Sequence, residues 1–253
     1  MGQMLDSLAR MLAGAHRDPT IRLNGELFAE LDFWEAQQVQ ALTLQLLADS
    51  VPVSKVAIDG EGRAVAAPIY GSLVARSGDT IDLPQRGWLG IEVEIAARLG
   101  RTLTPALAAG GAEAVLASVE SFHVGIEIVG SRFADRLTAG PNGGFADNMN
   151  SAGYIWSQHA WTGGTEIDGL PITVAIDGET SWQGTAKAPF GKLLDPIIAY
   201  ANTPLAFRAL QAGMLVTAGT LCGLVEVGAA PRQISATFAN APAVTFAVRQ
   251  PSA

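Results

Sequence analysis

The stretch Gly90-Ile91-Glu92-Val93-Glu94-Ile95 alternates β-branched and acidic side chains, and it decides the fold of this chain. Because successive side chains of a β-strand point to opposite faces, this alternation predicts a strand with one apolar and one acidic face. Glu92 and Glu94 are then neighbours on one surface. Residues 124–129, Val-Gly-Ile-Glu-Ile-Val, predict a second strand, which again places a single glutamate, Glu127, between β-branched residues.

Two interpretations of these glutamates follow from the residues alone. The simpler one is that both strands have a solvated face on which the acids lie. The other is that the three carboxylates converge, and a cation must then offset their repulsion, because an isolated charge is costly to bury. The nearby sequence supplies few bases, only Arg98, Arg101 and Arg132. An all-oxygen set of ligands favours a hard ion such as Mg²⁺ or Mn²⁺ over zinc.

Lys55 is the second candidate, because it lies inside residues 53–58, Val-Ser-Lys-Val-Ala-Ile, which also predict a strand. A lysine that is half-buried there could have a depressed pKa and serve as an acid or base. The alternative is an edge-strand lysine that discourages aggregation. The three histidines lack the spacing of metal ligands, and for His123, which precedes an apolar strand, a hydrogen-bonded core position is expected.

The rest of the chain divides into a helical start and a β-rich remainder. Apolar residues three and four apart predict helices over residues 5–12 and 31–48. After Pro52, two further helices are expected at 111–118 and 193–210, and a long loop at 139–151. Short runs between glycines and prolines predict strands within 53–58, 89–96, 122–129, 170–176, 214–217, 223–227 and 233–248. We expect a helical segment, residues 1–50, and a β-rich region, residues 51–253, that together form one domain.

Composition excludes several classes of protein. Of the 253 residues 49% are hydrophobic and only 16% charged, which excludes a disordered chain. The net charge of −8 comes without a basic stripe, so we expect no nucleic-acid partner. The uncharged run at residues 209–225 is shorter than the roughly 20 apolar residues of a membrane span, so no membrane crossing is expected. A single cysteine, Cys222, and the lack of a signal-peptide pattern favour the cytoplasm.

Several strings occur in the order of the signatures of a known family. Together they resemble the 2-keto-4-pentenoate hydratase / 4-oxalocrotonate decarboxylase family, which belongs to the fumarylacetoacetate hydrolase superfamily. The resemblance rests first on residues 90–96, 127–132 and 145–148. It extends over almost the whole chain through residues 35–40, 54–56, 68–73, 199–202, 215–219 and 235–238.

The resemblance implies an α+β fold, in which a curved mixed β-roll of the fumarylacetoacetate hydrolase C-terminal-domain type carries N-terminal helices. It implies one Mg²⁺ (or Mn²⁺) held by Glu92, Glu94 and Glu127, and an active-site lysine, Lys55. Arg132 is expected either to orient the substrate or to pair with an acid. The positions implied at the substrate are Tyr70, Leu73, Arg132, Asp147, Asn148, Asn150 and Ser151.

The function that the resemblance implies is a lyase that hydrates a 2-hydroxypenta-2,4-dienoate-type acid to a 4-hydroxy-2-oxo acid. The alternatives are decarboxylation of 2-oxo-3-hexenedioate at the same metal site and a non-catalytic homologue that binds an oxo acid. Scarce bases favour the hydratase, because few cations remain for a second carboxylate, and an apolar tail site is expected from Tyr70, Leu73, Phe145, Met149, Tyr154 and Leu221. A homo-oligomer and a complex with a pathway enzyme are expected as well.

The sequence departs from the family pattern mainly at turns. Val53 and Ser54 precede Lys55, where the family usually has a glycine two residues before the lysine, and Ala57 replaces a second glycine. Residues 212–214 and 230–232 also differ from the usual Gly-Asp and Pro-Gly-Asp. These changes leave the expected fold intact and bear mainly on which substrate is bound.

Overall fold

The computed structural model describes residues 2–82, 87–203, 208–228 and 231–249. Its α-helices are α1 Gly2–Arg17, α2 Phe33–Leu47, α3 Pro105–Ala108, α4 Gly111–Leu116, α5 Gly140–Ala146 and α6 Asp195–Ala201. Its strands are β1 Val53–Ile58, β2 Ala64–Ile69, β3 Val74–Arg76, β4 Thr80–Ile81, β5 Trp88–Leu99, β6 Val119–Gly130, β7 Ser151–Trp161, β8 Pro171–Ile176, β9 Glu179–Thr185, β10 Leu215–Thr217, β11 Val225–Glu226, β12 Gln233–Phe238 and β13 Val244–Val248.

The strands form two mixed sheets. The larger sheet has the order β2-β1-β10-β5-β6-β7-β3, with β11 paired to β5, and the smaller one the order β4-β13-β12-β8-β9. In the larger sheet β1 runs parallel to β10 and β3 parallel to β7, while the other pairs are antiparallel. The predicted curved, mixed α+β β-roll with helices is confirmed.

The two faces of the larger sheet have different partners. Ile91 and Val93 point to the main core, which they share with apolar residues of the smaller sheet such as Val174 and with Ile197 of α6. On the opposite face, β1 and β2 contribute to a second apolar cluster with the N-terminal helices. Because side chains alternate along β5, Glu92 and Glu94 lie on this helix-covered face.

The N-terminal helices form where the sequence predicts them. A capping box starts α2: the Asp32 side chain accepts from the backbone N–H of Glu35 at 2.8 Å, and the Glu35 side chain accepts from that of Asp32 at 3.1 Å. The helix ends at Ala48, whose left-handed backbone stops it. In α1, a buried stripe that includes Leu5, Leu8 and Leu12 packs towards α2.

Two predicted segments differ in the structure. Residues 139–151 are not one long loop, because they contain the short helix α5, which has Pro141 in its first turn, where the missing N–H costs nothing. The predicted helix 193–210 is helical only over α6, and its residues 204–207 lie outside the described part of the chain. Pro204 disfavours helical backbone at the preceding Thr203, which explains the early end. Within the described residues, no helix has the length and apolarity of a membrane span.

Candidate metal centre and active site

Glu92, Glu94 and Glu127 converge on the helix-covered face of the larger sheet. The antiparallel register of β5 and β6 places Glu92 opposite Glu127, and Glu94 follows on the same face. One carboxylate oxygen of each lies within 4.8 Å of those of the other two. Glu94 and Glu127 are fully buried, so the interpretation as a solvated strand face is wrong.

Lys55 supplies the positive charge at this cluster. Its Nζ donates to Oε1 of Glu127 at 2.8 Å and lies 4.0 Å from Oε2 of Glu92. Because β1 lies between β2 and β10, the interpretation as an edge-strand lysine is wrong. Of the arginines near the glutamates in sequence, Arg98 pairs with Glu120, and Arg132 pairs with an aspartate.

Thr217 and Tyr154 complete the surroundings of the carboxylates. The Thr217 hydroxyl donates to Oε2 of Glu94, and Thr217 itself lies opposite Lys55 in the sheet. Tyr154 lies opposite Glu127 on β7, above Gly125, where a Cβ would be 2.1 Å from the tyrosine oxygen. Sequence reasoning missed Thr217, and its only signal was its position in the string 215–219.

The acids and the lysine shift one another's proton affinity. Burial raises the pKa of Glu92 to about 7; the Glu127 carboxylate adds to this and Lys55 opposes it. Burial, reinforced by Glu127, raises the pKa of Glu94 well above its usual range. Burial opposes the charge on Lys55, but the attraction of Glu127, Glu92 and Glu94 raises its pKa above the ordinary value. One ammonium therefore does not balance three carboxylates, of which two are fully buried.

The donor set fits a hard divalent cation. Oε1 of Glu94 and Oε2 of Glu127 are buried and accept no hydrogen bond from the residues that the structure describes. Three carboxylates with free oxygens match the ligands of Mg²⁺, Mn²⁺ or Ca²⁺, which bind oxygen donors. A second positive charge here would also offset the carboxylates that Lys55 leaves uncompensated. The cluster can therefore hold a divalent metal.

A buried ion pair fixes the segment beside this cluster. Nε of Arg132 donates to Oδ1 of Asp147 at 2.5 Å, and the Arg132 backbone N–H and Ser131 hydroxyl both donate to Oδ2 at 3.0 Å. The two remaining guanidinium nitrogens donate to the backbone carbonyls of Ser151 at 2.7 Å and Asp147 at 2.8 Å. Of the two roles expected for Arg132, the structure shows the pairing with an acid.

Residues 148–151, which follow Asp147, have buried polar atoms without hydrogen-bond partners among the described residues. Asn148, Met149 and Asn150 all have left-handed backbones, with φ of 53°, 54° and 58°. Within the described chain, Oδ1 of Asn148, Oδ1 of Asn150 and Oγ of Ser151 are buried without a hydrogen bond. Three residues of one short segment, each with a free polar atom, can orient a small polar ligand. The motif predicted this segment but not its backbone.

Tyr70 and Leu73 take different positions. Burial raises the pKa of Tyr70 to about 12, which its contact with Asn148 moderates. The edge of the His16 ring packs on Tyr70 with centroids 5.0 Å apart. Leu73 lies in a separate cavity of about 190 Å³, which it shares with His16 and Arg132.

His123 bonds to Ser121 and Ser157 at 2.8 Å each, as expected of a core histidine.

A larger cavity, of about 740 Å³, opens at the end of β1 and β2. Phe145 and Met149, two of the residues expected to line an apolar tail site, line it together with Phe33, Val65 and Phe190. Tyr154 and Leu221 are instead buried in the fold, Tyr154 beside the carboxylates and Leu221 with its backbone N–H bonded to the carbonyl of Val93.

The known proteins that resemble this chain are found among solved structures. No protein-family model and no curated protein matches this chain. The structure of 4-oxalocrotonate decarboxylase from Pseudomonas putida G7, complexed with magnesium and adipate, matches with a TM-score of 0.83 at 18% identity and covers 98% of both chains. The chain has the fold of that decarboxylase.

Other solved structures share less of the fold. A 2-hydroxyhepta-2,4-diene-1,7-dioate isomerase from Mycobacterium marinum has a TM-score of 0.57 and 16% identity, over 80% of this chain and 79% of its own. A putative fumarylacetoacetate hydrolase family protein from Yersinia pestis CO92 has a TM-score of 0.56 and 16% identity, over 79% and 94%. These matches confirm the fumarylacetoacetate hydrolase type of fold that the sequence motifs predict.

Proposed function

We propose that this protein is a divalent-metal-dependent lyase of the 2-keto-4-pentenoate hydratase / 4-oxalocrotonate decarboxylase family. Its substrate is a small 2-oxo or 2-hydroxydienoic acid, and its reaction is hydration of a 2-hydroxypenta-2,4-dienoate-type substrate to a 4-hydroxy-2-oxo acid. The observation that carries this proposal is the convergence of Glu92, Glu94 and Glu127 with Lys55 on one buried face. The metal, Mg²⁺ (or Mn²⁺), would be held by the three glutamates.

When bound, the cation supplies a Lewis acid for the substrate oxygens on which enolate charge collects. Lys55 acts as the proton shuttle at Nζ: because the neighbouring carboxylates keep it protonated, its ammonium delivers a proton to the terminal carbon and regains one from the 2-hydroxyl group, which gives an α,β-unsaturated ketone. Water then adds to this ketone at C4. Thr217 holds Glu94 in place through the hydroxyl hydrogen bond, so the carboxylates keep a fixed orientation.

The segment that follows α5 orients the substrate and the attacking water. Asn150 and Ser151 carry polar atoms that are free to bond to a ligand, and Asn148 does the same next to Tyr70. Arg132 acts indirectly in this proposal, because its donors hold the segment. Burial of Lys55 and of the carboxylates excludes bulk water, which strengthens every charge interaction in the site.

A second candidate is decarboxylation of 2-oxo-3-hexenedioate by the same residues. The match to 4-oxalocrotonate decarboxylase over 98% of both chains favours it. A non-catalytic protein that binds an oxo acid is the third candidate. It is less well supported, because three carboxylates beside one lysine, two of them fully buried, are costly to keep unless they hold a cation. A homo-oligomer, a complex with a pathway enzyme and a cytoplasmic location belong to the same proposal.

The experiment offers both substrates to the Mg²⁺-loaded protein. The hydratase is expected to remove the dienol absorbance of 2-hydroxypenta-2,4-dienoate and to release no CO₂. Stoichiometric CO₂ from 2-oxo-3-hexenedioate, without hydration of the monoacid, would assign the decarboxylase. Turnover of neither substrate by protein that has bound metal would favour the non-catalytic protein. Glu94→Gln serves as the control for turnover by contaminating enzymes.

A further inference from the structure

We propose that the 740 Å³ cavity takes a bulky, aromatic tail of the substrate, far larger than the vinyl group of pentadienoate. This inference rests on the proposed function, since it places the reacting head of the substrate at the carboxylates. The size of the cavity is the first argument. Pockets of about 300 to 1,000 Å³ enclose drug-sized ligands, whereas a five-carbon acid fills only a small part of such a space.

The cavity lies on the same face of the sheet as the carboxylate cluster, and its wall begins two residues beyond Lys55 on β1. Ala57, in its wall, follows Lys55 by two residues on β1, so both side chains point to one face. Val65 lies opposite Ala57 on β2 and also lines the cavity. On the other side, Asn150 lines the cavity next to Ser151. In this proposal, the tail of a ligand whose head lies at Lys55 therefore passes Ala57 and Asn150 into this space.

The wall favours an apolar ring. Phe33 and Phe145 stack in parallel, with centroids 5.3 Å apart and planes at 8°, and Phe190 adds a third ring. Met149 provides an unbranched, adaptable side chain, which fits irregular ligands well. At the rim, Leu137 is 75% exposed and adds an apolar side chain that a bound tail would cover.

The charged side chains around the cavity attract an anionic tail only weakly. Nε of Arg63 bonds to Oδ2 of Asp59 at 2.7 Å, its Nη1 lies 3.0 Å from Glu61, and its guanidinium lies 4.1 Å from the ring centroid of Phe33. Arg136 is the remaining cation of the wall, and it lies at the exposed rim. An apolar tail therefore fits the interior better than a carboxylate does.

The test measures binding by calorimetry, so it does not depend on turnover. The probes for the Mg²⁺-loaded protein are 2-oxobutanoate, 2-oxo-4-phenylbutanoate and 2-oxoadipate. We expect the phenyl compound to bind about 30-fold more tightly than 2-oxobutanoate, the effect of burying one aromatic ring. Gly144→Leu should abolish this advantage, because Gly144 lines the cavity and a leucine side chain there fills part of it. The amide nitrogen of Asn150 lies 3.5 Å from the position of the added Cβ.

A second variant, at the surface, keeps the proposal testable if Gly144→Leu does not fold. Leu137→Ser should reduce the phenyl advantage by about threefold or more, because it removes apolar contact at the rim. Leu116→Ser, which changes another exposed leucine that does not line the cavity, should leave it unchanged.

Three outcomes separate the hypotheses. Equal binding of 2-oxobutanoate and the phenyl compound, unaffected by Gly144→Leu, would overturn the tail inference and leave the proposed function standing. Tighter binding of 2-oxoadipate than of the phenyl compound would also overturn it, and would assign Arg136 to an acidic tail. Failure of all three oxo acids to bind metal-loaded protein would contradict the proposed function itself.

Discussion

Replacing Lys55 by methionine removes the positive charge from a buried cluster of carboxylates. At the 2.8 Å distance between Nζ and Oε1 of Glu127, the Coulomb attraction is about 6 kcal/mol at an effective dielectric constant of about 20. Desolvation offsets part of it, and breaking a buried pair typically costs about 3 to 5 kcal/mol. We expect Lys55→Met to lower the free energy of unfolding of the metal-free protein by that amount at pH 8.

The loss depends on pH in a direction that the raised pKa values determine. Burial raises the pKa of Glu92 and of Glu94, so the folded protein binds more protons than the unfolded chain does, and its stability falls as the pH rises. Without Lys55 the pKa values of Glu92 and Glu94 rise further, because no ammonium lowers them. The deficit of the variant should therefore be smaller at pH 6 than at pH 8, and smaller again with saturating Mg²⁺, which replaces the missing charge.

The assays are thermal melts and turnover. For a chain of this length, 1 kcal/mol corresponds to roughly 2 to 4 °C, so metal-free Lys55→Met should melt about 6 to 20 °C below the wild type. Lys187→Met is the control, because Lys187 is an exposed lysine whose ion pair with Asp168 is screened by solvent. Turnover of Lys55→Met should fall at least about 100-fold while Mg²⁺ still binds.

Two results would refute this reasoning. If Lys55→Met melts no lower than Lys187→Met without metal, Lys55 does not neutralise the carboxylates. Turnover within a few-fold of the wild type would exclude Lys55 as the proton shuttle.

Two further predictions concern residues around the site. Thr217→Val should weaken Mg²⁺ binding about 10- to 100-fold in calorimetry, because Glu94 loses its positioning hydrogen bond, and Thr217→Ser should restore it; equal affinity in all three proteins would contradict this role. Burial lowers the pKa of His16 well below its usual value, so the unfolded chain binds a proton first and stability falls as the pH drops below about 6.5. His16→Phe, which keeps an aromatic contact with Tyr70, should flatten this decline in chemical denaturation, and the exposed control His159→Phe should leave it as steep as in the wild type.

The sequence predicted the strands and helices whose side-chain pattern and caps lie within the segment itself. Alternation along residues 90–95 is a property of one strand, and the register with β6 then needs only the matching pattern at 124–129. The helix α2 was predictable for the same reason, since its apolar period and its cap, Asp32, lie within the segment. By contrast, α5 contains three glycines among seven residues, and this composition hides a helix that forms through packing on α2 and neighbouring segments.

The site was predictable in its residue types and less so in its contacts. The sequence left Lys55 between two interpretations because its partner Glu127 lies 72 residues away and two strands, β10 and β5, separate their strands in the sheet. Thr217 reaches Glu94 only through the pairing of β10 with β5, which no local pattern encodes. The departure at Ala57 is also explained by the structure, since this residue packs against the helical cluster and borders the large cavity.

The central claim is that Glu92, Glu94 and Glu127 bind one divalent cation, and crystals soaked in Mn²⁺ test it most directly. The anomalous difference map should show one peak at about 2.0 to 2.3 Å from a carboxylate oxygen of each glutamate, with water completing six-fold coordination. Lys55 should remain bonded to Glu127 in the same crystal. A map without a peak at this cluster, or carboxylates that turn separately to solvent, would contradict the claim.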